Sequence, residues 1–571
     1  MNISPVQSNT PVPSLPALLP ATRSRAVGAI ILCLFVGLLW LYPAVTLKLG
    51  HQNDIAVHLR WVEQFYASLQ DGVLLPRWAH AAQYGLGDPS FFYYQPLFYY
   101  ITSLFLWLGV GAERALVLAA AVPFLMVAGV VYKYFLQSYE TRSATLGAMF
   151  VLACPTLYFM STHLAAFPWS LSIPFSLLFA AESIRDKPRA GRIAVLLCLI
   201  CLSHLLSGMM TLLCVGLARL FYVPLGPKGV KGHAAWLAGV MLGLALASFF
   251  IYPALTEMQL INPAGWEQNF NWRRCFALPV VSHFLFGTYW FGVQWPFALV
   301  CLGITLLVLV PRTPLPRNAG QRSAQRLAIV ALCALFFSSE LAYPLYALLP
   351  PMQKLQFPYR FMFVASILSS IALMIHLYEG AWVRWGKLVR GIAVLLIVMQ
   401  CGQAALLQIK IVRDGERIAT RSKYFSGRFG QPEYLLAVRG PHWQEYGQAG
   451  GLAADCARLE IGCRHVVRGS HSFAVTVDTS RALSLRLPVF AFPAWQAFVD
   501  GRPQAFAIDR ETGVIVLDLE PGVHAVQLRF GRLSSEITGF WISALALCVL
   551  LMLAVFARRG RTDPHATPRQ R

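Results

Sequence analysis

The chain has 571 residues, of which 57% are hydrophobic and 13% are charged. Soluble globular domains carry about 25% charged residues, so this composition excludes an ordinary soluble protein. The net charge is +21, but the basic residues stand in short clusters between apolar runs. That pattern is typical of cytoplasmic loops of membrane proteins and argues against nucleic-acid binding. The sequence therefore predicts a polytopic α-helical membrane protein.

Residues 1–25 are rich in Pro and Ser and precede an apolar run of full spanning length. We expect a disordered cytoplasmic start and a retained first helix instead of a cleaved signal. Twelve apolar segments can span a membrane, near residues 26–47, 113–134, 144–161, 168–184, 191–206, 208–223, 235–255, 288–310, 326–345, 358–378, 389–409 and 536–557. The basic loops between them all fall on one side, which predicts that both termini are cytoplasmic.

The segment 95–110 is apolar but short and rich in aromatic residues. Counting it as a span would move every later basic loop to the external side. We therefore interpret residues 55–70 and 95–110 as juxtamembrane helices that lie in the outer interface. This places a transmembrane domain at 26–409, with its first external loop at 48–112.

A large external segment follows at 410–535. Alternating apolar and polar residues predict strands at 472–477, 483–487, 514–519 and 524–530. The Asp500-Gly501 pair predicts a tight turn between two further strands. We expect a small external β-sandwich, followed by a last span at 536–557 and a basic cytoplasmic tail at 558–571.

Most of the twelve cysteines lie inside apolar runs, where cysteine acts as a small hydrophobic residue. Cys456 and Cys463 instead lie together in a polar region. Outside the membrane this pair could form a disulfide, and it could also stay reduced. The spacing matches no zinc motif, and no second pair completes one.

The stretch from Gly50 to Trp61 directly follows the first span and carries an acid, two histidines and an arginine. Asp54 and His58 are four residues apart, so they share one face if a helix begins here. A carboxylate in this position can act as a general base. It can also be only the N-cap of an interfacial helix, because Asp is a favoured capping residue.

An acid just outside the first span, interfacial helices, about a dozen spans and a terminal external domain resemble the GT-C class of membrane glycosyltransferases. More closely, the chain resembles the bacterial membrane family labelled 6-pyruvoyl-tetrahydropterin synthase-related. The matching stretches follow one another along the chain at residues 51–59, 75–78, 84–89, 94–97, 203–207, 249–255, 355–361, 492–495 and 499–501.

This resemblance implies transfer of a sugar from a polyprenyl-phosphate donor to an acceptor on the external face, with Asp54 as the catalytic base. The departing lipid phosphate needs positive charge around it. Candidate contacts to donor or acceptor are the histidines and arginines of the outer side, namely His58, Arg60, Arg77, His163, His204 and Arg360. The arginines can instead be interfacial anchors, and the histidines can cap helices or bind a metal, although their spacing does not favour a metal. We expect no cofactor.

Trp443 and Trp495 could stack on a sugar ring, or they could form the core of the β domain. The loop 160–169 departs from the class because it lacks the second acid that members commonly carry there. Two alternatives therefore stay open: a transporter or flippase of lipid-linked sugars, and a non-catalytic membrane scaffold with an external binding domain. We expect a bacterial inner-membrane protein with a periplasmic β domain that serves cell-surface glycan, lipid or protein glycosylation.

Overall fold

The computed structural model describes residues 21–50, 54–262, 271–287, 291–310, 318–423 and 434–559. Most of the predicted disordered start, residues 51–53 and the end of the basic tail lie outside these ranges. In the described chain, helices dominate before residue 424 and strands dominate from 462 to 530. The protein is thus a helical membrane protein with a C-terminal β-rich region.

Seven helices in the described residues are long and apolar enough to cross a membrane. They are Arg23–Thr46, Ala112–Phe135, Leu205–Tyr222, Gly229–Leu246, Pro358–Arg384, Lys387–Asp414 and Ser534–Val555. An eighth candidate is the pair Thr141–Leu152 and Pro155–His163, which bends by 51°. Pro155 begins the second half, and its nitrogen carries no hydrogen to continue the helical ladder.

The predicted count of twelve spans is not confirmed. Four other predicted segments are helical but are not among the candidate spans of the described residues, namely Phe167–Ser183, Ala190–Ser203, Phe291–Leu309 and Ala319–Ser338. The helix Ala190–Ser203 has 14 residues, which gives about 21 Å at 1.5 Å per residue. A bilayer core is about 30 Å thick. The predicted segment 235–255 is also divided, because Pro227–Leu246 and Ser248–Thr256 are separate helices.

The loops predicted to be external meet at one end of the bundle, which we call the outer end. The Gly50 N–H donates to the carbonyl of Thr162 at 2.6 Å, joining the first and second of these loops. The Tyr93 hydroxyl donates to the carbonyl of Glu257 at 2.7 Å, joining the first to a later one. These contacts fit the predicted alternation of loops.

The basic loops meet at the opposite end, which we call the basic end. The Tyr132 hydroxyl donates to the carbonyl of Arg25 at 2.9 Å. Arg326 donates to the Asp186 carboxylate at 2.7 Å. The two sets of loops therefore occupy opposite ends of the bundle.

Two helices of the first external loop position the site. They are Asp54–Gln70 and Leu97–Trp107. The second has 11 residues, about 17 Å, and is too short to cross a bilayer. The other described α-helices are Ser90–Tyr93, Ser282–Phe286, Tyr343–Leu348, Pro350–Gln353, Met362–His376, Trp382–Arg384, Ile418–Lys423, Trp443–Gln448 and Leu452–Leu459.

The described strands are β1 Lys48–Leu49, β2 Glu416–Arg417, β3 Gly462–Arg468, β4 Ser472–Thr479, β5 Leu483–Phe490, β6 Trp495–Val499, β7 Arg502–Gln504, β8 Ala507–Ile508, β9 Val514–Leu519 and β10 Gly522–Phe530. In this part of the chain, β1 pairs with β2, five strands form a sheet in the order β3-β4-β10-β6-β7, and three form a sheet in the order β5-β9-β8. All pairs are antiparallel. Asp500 and Gly501 have φ angles of 50° and 77° and close the β6–β7 hairpin, as the sequence predicts.

The β-rich region packs against the first external loop. The Ser470 N–H donates to the Asp71 carboxylate at 2.8 Å, and the Phe490 N–H donates to the carbonyl of Leu86 at 2.9 Å. Within the first loop itself, Gly87 has a φ of 78°, and a Cβ there would lie 2.3 Å from Nε1 of Trp78. The close contact between Gly87 and Trp78 therefore requires glycine.

Candidate functional site

Asp54 is exposed and begins the helix Asp54–Gln70 at the outer end. The chain just before it is fixed at Gly50, where a Cβ would lie 2.6 Å from the carbonyl oxygen of Thr162 and 2.8 Å from the Cα of His163. Only glycine fits this approach. The first external loop is therefore held against the segment that carries His163.

Arg360 provides the positive charge near Asp54. It lies in the 3₁₀ turn Pro358–Phe361, and its charge interacts with the Asp54 carboxylate. The guanidinium carbon is 4.4 Å from the ring centre of Phe357 and 5.3 Å from that of Trp169. Its buried Nε has no hydrogen-bond partner among the residues that the structure describes. Aromatic faces thus hold this cation, and a donor is left for an anionic ligand.

His204 completes this group from a third segment. Its ring stacks on Trp169, with ring centres 5.7 Å apart and an angle of 11°. Nδ1 accepts from the Ser207 N–H at 3.1 Å, which caps the helix Leu205–Tyr222. A neutral ring that accepts at Nδ1 carries its proton on Nε2, so we assign Nε2–H as a donor. Trp169 therefore lies against both His204 and Arg360.

His58 lies one turn after Asp54 and is buried. Its Nδ1 is 2.8 Å from the Tyr99 hydroxyl, and the ring also hydrogen-bonds the backbone of Ala165. Burial lowers the pKa of His58 to about 3, so the ring is neutral at physiological pH. Through its burial and its contact with Tyr99, His58 holds the helix in place and orients the turn that carries Asp54.

Aromatic side chains surround this region. The rings of Trp61 and Tyr94 are 4.7 Å apart, and Tyr434 stacks on Tyr93 at 6.2 Å with an angle of 8°. These tyrosines and Trp169 were not among the predicted site residues, although Tyr94 stands in a stretch that carries the resemblance.

His163 lies on a π-helical turn, Phe159–His163, a feature that often marks functional sites. Its Nδ1 is 3.1 Å from the Thr162 hydroxyl. In the described structure its Nε2 and both amide atoms of Gln294 are buried without partners. Phe297, one turn after Gln294, contacts Phe159. Because a buried unpaired polar atom costs about 1–3 kcal/mol, these groups are candidates to bind a polar ligand.

Two predicted arginines are engaged elsewhere. Arg60 forms an ion pair with Glu63 at 3.0 Å, and both side chains are half-buried. Arg77 is buried, and its Nε donates to Glu536 at 2.9 Å. In this conformation Arg60 therefore pairs with Glu63. Arg77 forms a buried ion pair with Glu536.

Trp443 and Trp495 were predicted to stack on a sugar ring, but both side chains are buried in this structure. Trp443 is 5% exposed and contacts Tyr84 and Phe490. Trp495 is 4% exposed and packs against Trp78. Both tryptophans are buried where the β-rich region meets residues 48–112, so neither offers an open ring in this conformation.

Cys456 and Cys463 form a disulfide with a Cα–Cα distance of 6.2 Å. Within the described ranges, no group of three or more His, Cys, Asp or Glu side chains is placed to hold a metal ion. Two other external acids, Asp71 and Asp88, are bound by Ser470 and Ser90. Asp54 is exposed, and its charge interacts weakly with Arg360.

These features define a polytopic membrane protein whose outer end combines a carboxylate and an arginine within aromatic walls. The chain belongs to the family described as 6-pyruvoyl-tetrahydropterin synthase related domain, membrane protein, whose model matches residues 91–408. This confirms the family to which the sequence pointed. The matched range includes Trp169, His204 and Arg360 and begins after Asp54.

No functionally curated protein matches the chain. Among solved structures, arabinofuranosyltransferase AftD from Mycobacteria is similar at a TM-score of 0.43 and 13% identity, over 90% of this chain and 40% of AftD. ArnT from Cupriavidus metallidurans bound to undecaprenyl phosphate gives a TM-score of 0.36 and 15% identity, over 75% of this chain and 79% of ArnT. This chain therefore spans about two fifths of the length of AftD.

Proposed function

We propose that the chain is a GT-C-like glycosyltransferase of the bacterial inner membrane. It transfers a sugar from a polyprenyl-phosphate donor to an acceptor on the periplasmic face, for surface glycan, lipid or protein glycosylation. The observations that carry the proposal are the exposed Asp54 carboxylate at the start of its helix and the buried Arg360, which interacts weakly with the charge of Asp54 and whose Nε has no partner in the described structure. A base and a cation in one place are what this transfer requires.

Asp54 accepts the proton of the acceptor hydroxyl as that oxygen attacks the anomeric carbon. The bond between the anomeric carbon and the phosphate oxygen breaks, and its electron pair leaves with the lipid phosphate. The phosphate needs no proton but gains charge, which Arg360 stabilises through its free Nε and its charge. The aromatic packing around Arg360 fixes its direction before the donor binds.

His204 and His163 serve as polar contacts to the sugar or the acceptor. His204 offers Nε2–H, and its ring position is set by Trp169 and by the cap on Ser207. His163 offers the buried Nε2, close to the point where Gly50 fixes the first loop. His163 also lies in the loop where the class commonly carries a second acid, and we propose that it takes the place of that group.

The test is transfer of radiolabelled sugar from a panel of polyprenyl-phosphate donors by the purified full chain in lipid nanodiscs. Asp54→Asn is compared with the wild type and with Glu63→Gln, an acid on the same helix that pairs with Arg60. We expect Asp54→Asn to lower kcat about 100-fold or more at unchanged melting temperature. Glu63→Gln should retain activity.

Full transfer by Asp54→Asn would overturn the assignment of the base. Bound donor that is never transferred, but moves across the bilayer of proteoliposomes, would instead identify a transporter of lipid-linked sugars. Absence of both donor binding and transfer across the panel would favour the scaffold alternative.

A further inference from the structure

A groove of about 760 Å³ opens at the basic end of the bundle, away from Asp54. Its floor is formed by Phe167–Ser183 and Met362–His376, and its walls by Ala112–Phe135 and Ala190–Ser203. The proposed transfer reaction uses no residue of this groove. Its size is that of a pocket for a ligand with tens of atoms.

The mouth of the groove is cationic. It is lined by Lys133, Arg185 and Arg192, whose side chains are exposed. The one acid in the lining, Glu182, is 5% exposed, and it already accepts from the backbone N–H of Arg189 at 2.9 Å and from Arg192 at 3.5 Å. The three basic side chains outnumber the single carboxylate, which is already hydrogen-bonded. The mouth of the groove therefore keeps a net positive charge that attracts an anion.

The depth of the groove is apolar. Below the mouth, the groove is lined by apolar side chains from the middle of the helices, namely Leu177, Leu178, Val195, Leu196, Leu368 and Ile371. At Gly129, on one wall, a Cβ would meet no described atom within 4 Å. A charged mouth above an apolar channel matches a molecule with an anionic head and a hydrocarbon tail.

We infer that this groove binds an anionic glycerophospholipid of the surrounding leaflet. Lys133 and Arg192 bind the phosphate, and one acyl chain lies along the leucines of the floor and wall. Basic pockets between transmembrane helices on the cytoplasmic side are suited to such headgroups. The bound lipid bridges the two walls of the groove and stabilises the helical bundle.

The first test uses the full chain, delipidated in detergent, with added phosphatidylglycerol or phosphatidylcholine that have identical acyl chains. Native mass spectrometry should show one retained phosphatidylglycerol, and the melting temperature should rise with phosphatidylglycerol alone. The double variant Lys133→Gln/Arg192→Gln should weaken the apparent affinity about tenfold or more. Arg142→Gln, an exposed arginine at the same end but outside the groove, is the matched control and should bind as the wild type does.

The second test fills the groove. Gly129→Leu places a side chain into open space and should abolish lipid retention without loss of the fold. Gly391→Leu is the control, because this helical glycine also faces open space but does not line the groove.

Equal binding of the two lipids, or binding that none of these variants changes, would overturn the inference. Displacement of phosphatidylglycerol by polyprenyl phosphate at tenfold lower concentration would assign the groove to that lipid instead and reject our choice of ligand.

Discussion

Arg77 Nε donates to Glu536 at 2.9 Å, and both side chains are almost completely buried. The two residues are 459 positions apart, one in the first external loop and the other at the start of the last span. The same arginine donates through Nη2 to the carbonyl of Phe249 at 3.1 Å, and its backbone N–H donates to His471 at 3.1 Å. Arg77 therefore joins two membrane helices, the first loop and the β-rich region.

We predict that Arg77→Gln destabilises the protein by about 3–5 kcal/mol, because it leaves the Glu536 carboxylate buried without its cation. The double variant Arg77→Gln/Glu536→Gln should cost less than the sum of the two single variants. Chemical unfolding in detergent, followed by tryptophan fluorescence, measures these differences. If Arg77 instead bound the donor phosphate, the single variant would weaken donor binding and leave the unfolding curve unchanged.

A second prediction concerns pH and the buried Asp88. Burial raises the pKa of Asp88 from 3.8 to about 6, although hydrogen bonds from Ser90 and Gln83 lower it in part. Below pH 4 the carboxyl group is neutral in both the folded and unfolded states, and the burial penalty is absent. As the pH rises through 6, the folded protein must hold a buried charge and loses about 3 kcal/mol, since one pKa unit is 1.36 kcal/mol.

Asp88→Asn removes this charge. The Oε1 atom of Gln83 is buried without a partner in the described structure, so it can accept from the new amide. We expect the difference in unfolding free energy between variant and wild type to shift in favour of the variant by about 3 kcal/mol between pH 4 and pH 7.5. Unfolding curves at the two pH values provide the measurement. A difference that stays constant with pH would show that Asp88 is not the titrating group.

Local patterns in the sequence predicted local structure well. The helix Asp54–Gln70 follows from an amphipathic run with an acid in its first turn, where a negative charge favours the helix N-terminus. The hairpin at Asp500 and Gly501 follows from the need for two positive φ angles. These features depend on neighbours in the chain, so the sequence alone contains the necessary information.

The site itself could be predicted only in part. Trp169, His204 and Arg360 come from three distant segments, and their stacking is a product of tertiary packing. Nothing local distinguishes Trp169 from an ordinary interfacial tryptophan. Arg77 was a candidate because of its charge and its predicted side of the membrane, but its partner Glu536 lies at the far end of the chain. The count of twelve spans is not confirmed, and hydropathy does not register a backbone break such as that at Ala247.

A third prediction uses the disulfide to test the compartment. Cys456 and Cys463 are seven positions apart, and closing so short a loop stabilises the folded state by about 2–3 kcal/mol in the chain-entropy model. Disulfides persist in the periplasm and are rare in the cytoplasm. Alkylation of intact cells, followed by peptide mass spectrometry, should leave both cysteines unmodified until a reductant is added. Labelling of both without reductant would show that the pair is reduced in the cell and would contradict the predicted disulfide.

A fourth prediction concerns the contact between His58 and Tyr99. Tyr99→Phe leaves the buried Nδ1 of His58 without its hydrogen bond, which should cost about 1–3 kcal/mol. Because His58 lies one turn after Asp54, sugar transfer should fall as well, mainly in kcat. Tyr100→Phe is the control, since its hydroxyl donates to the carbonyl of Leu74 at an exposed position. Equal effects of the two variants on stability and kcat would argue against a positioning role for His58.

The last prediction separates charge from geometry at Arg360. Arg360→Lys keeps the positive charge but loses the planar guanidinium that lies over Phe357 and Trp169 and presents Nε. We expect the Kd for a polyprenyl-phosphate donor to rise about tenfold, which is the scale of one charge-assisted hydrogen bond. Arg60→Lys is the matched control, because that arginine forms a half-buried pair with Glu63 and should leave the Kd unchanged. Titration of labelled donor into nanodiscs measures both values. If lysine supports wild-type affinity at Arg360, charge alone suffices there and the role of the aromatic faces in aligning the guanidinium is refuted.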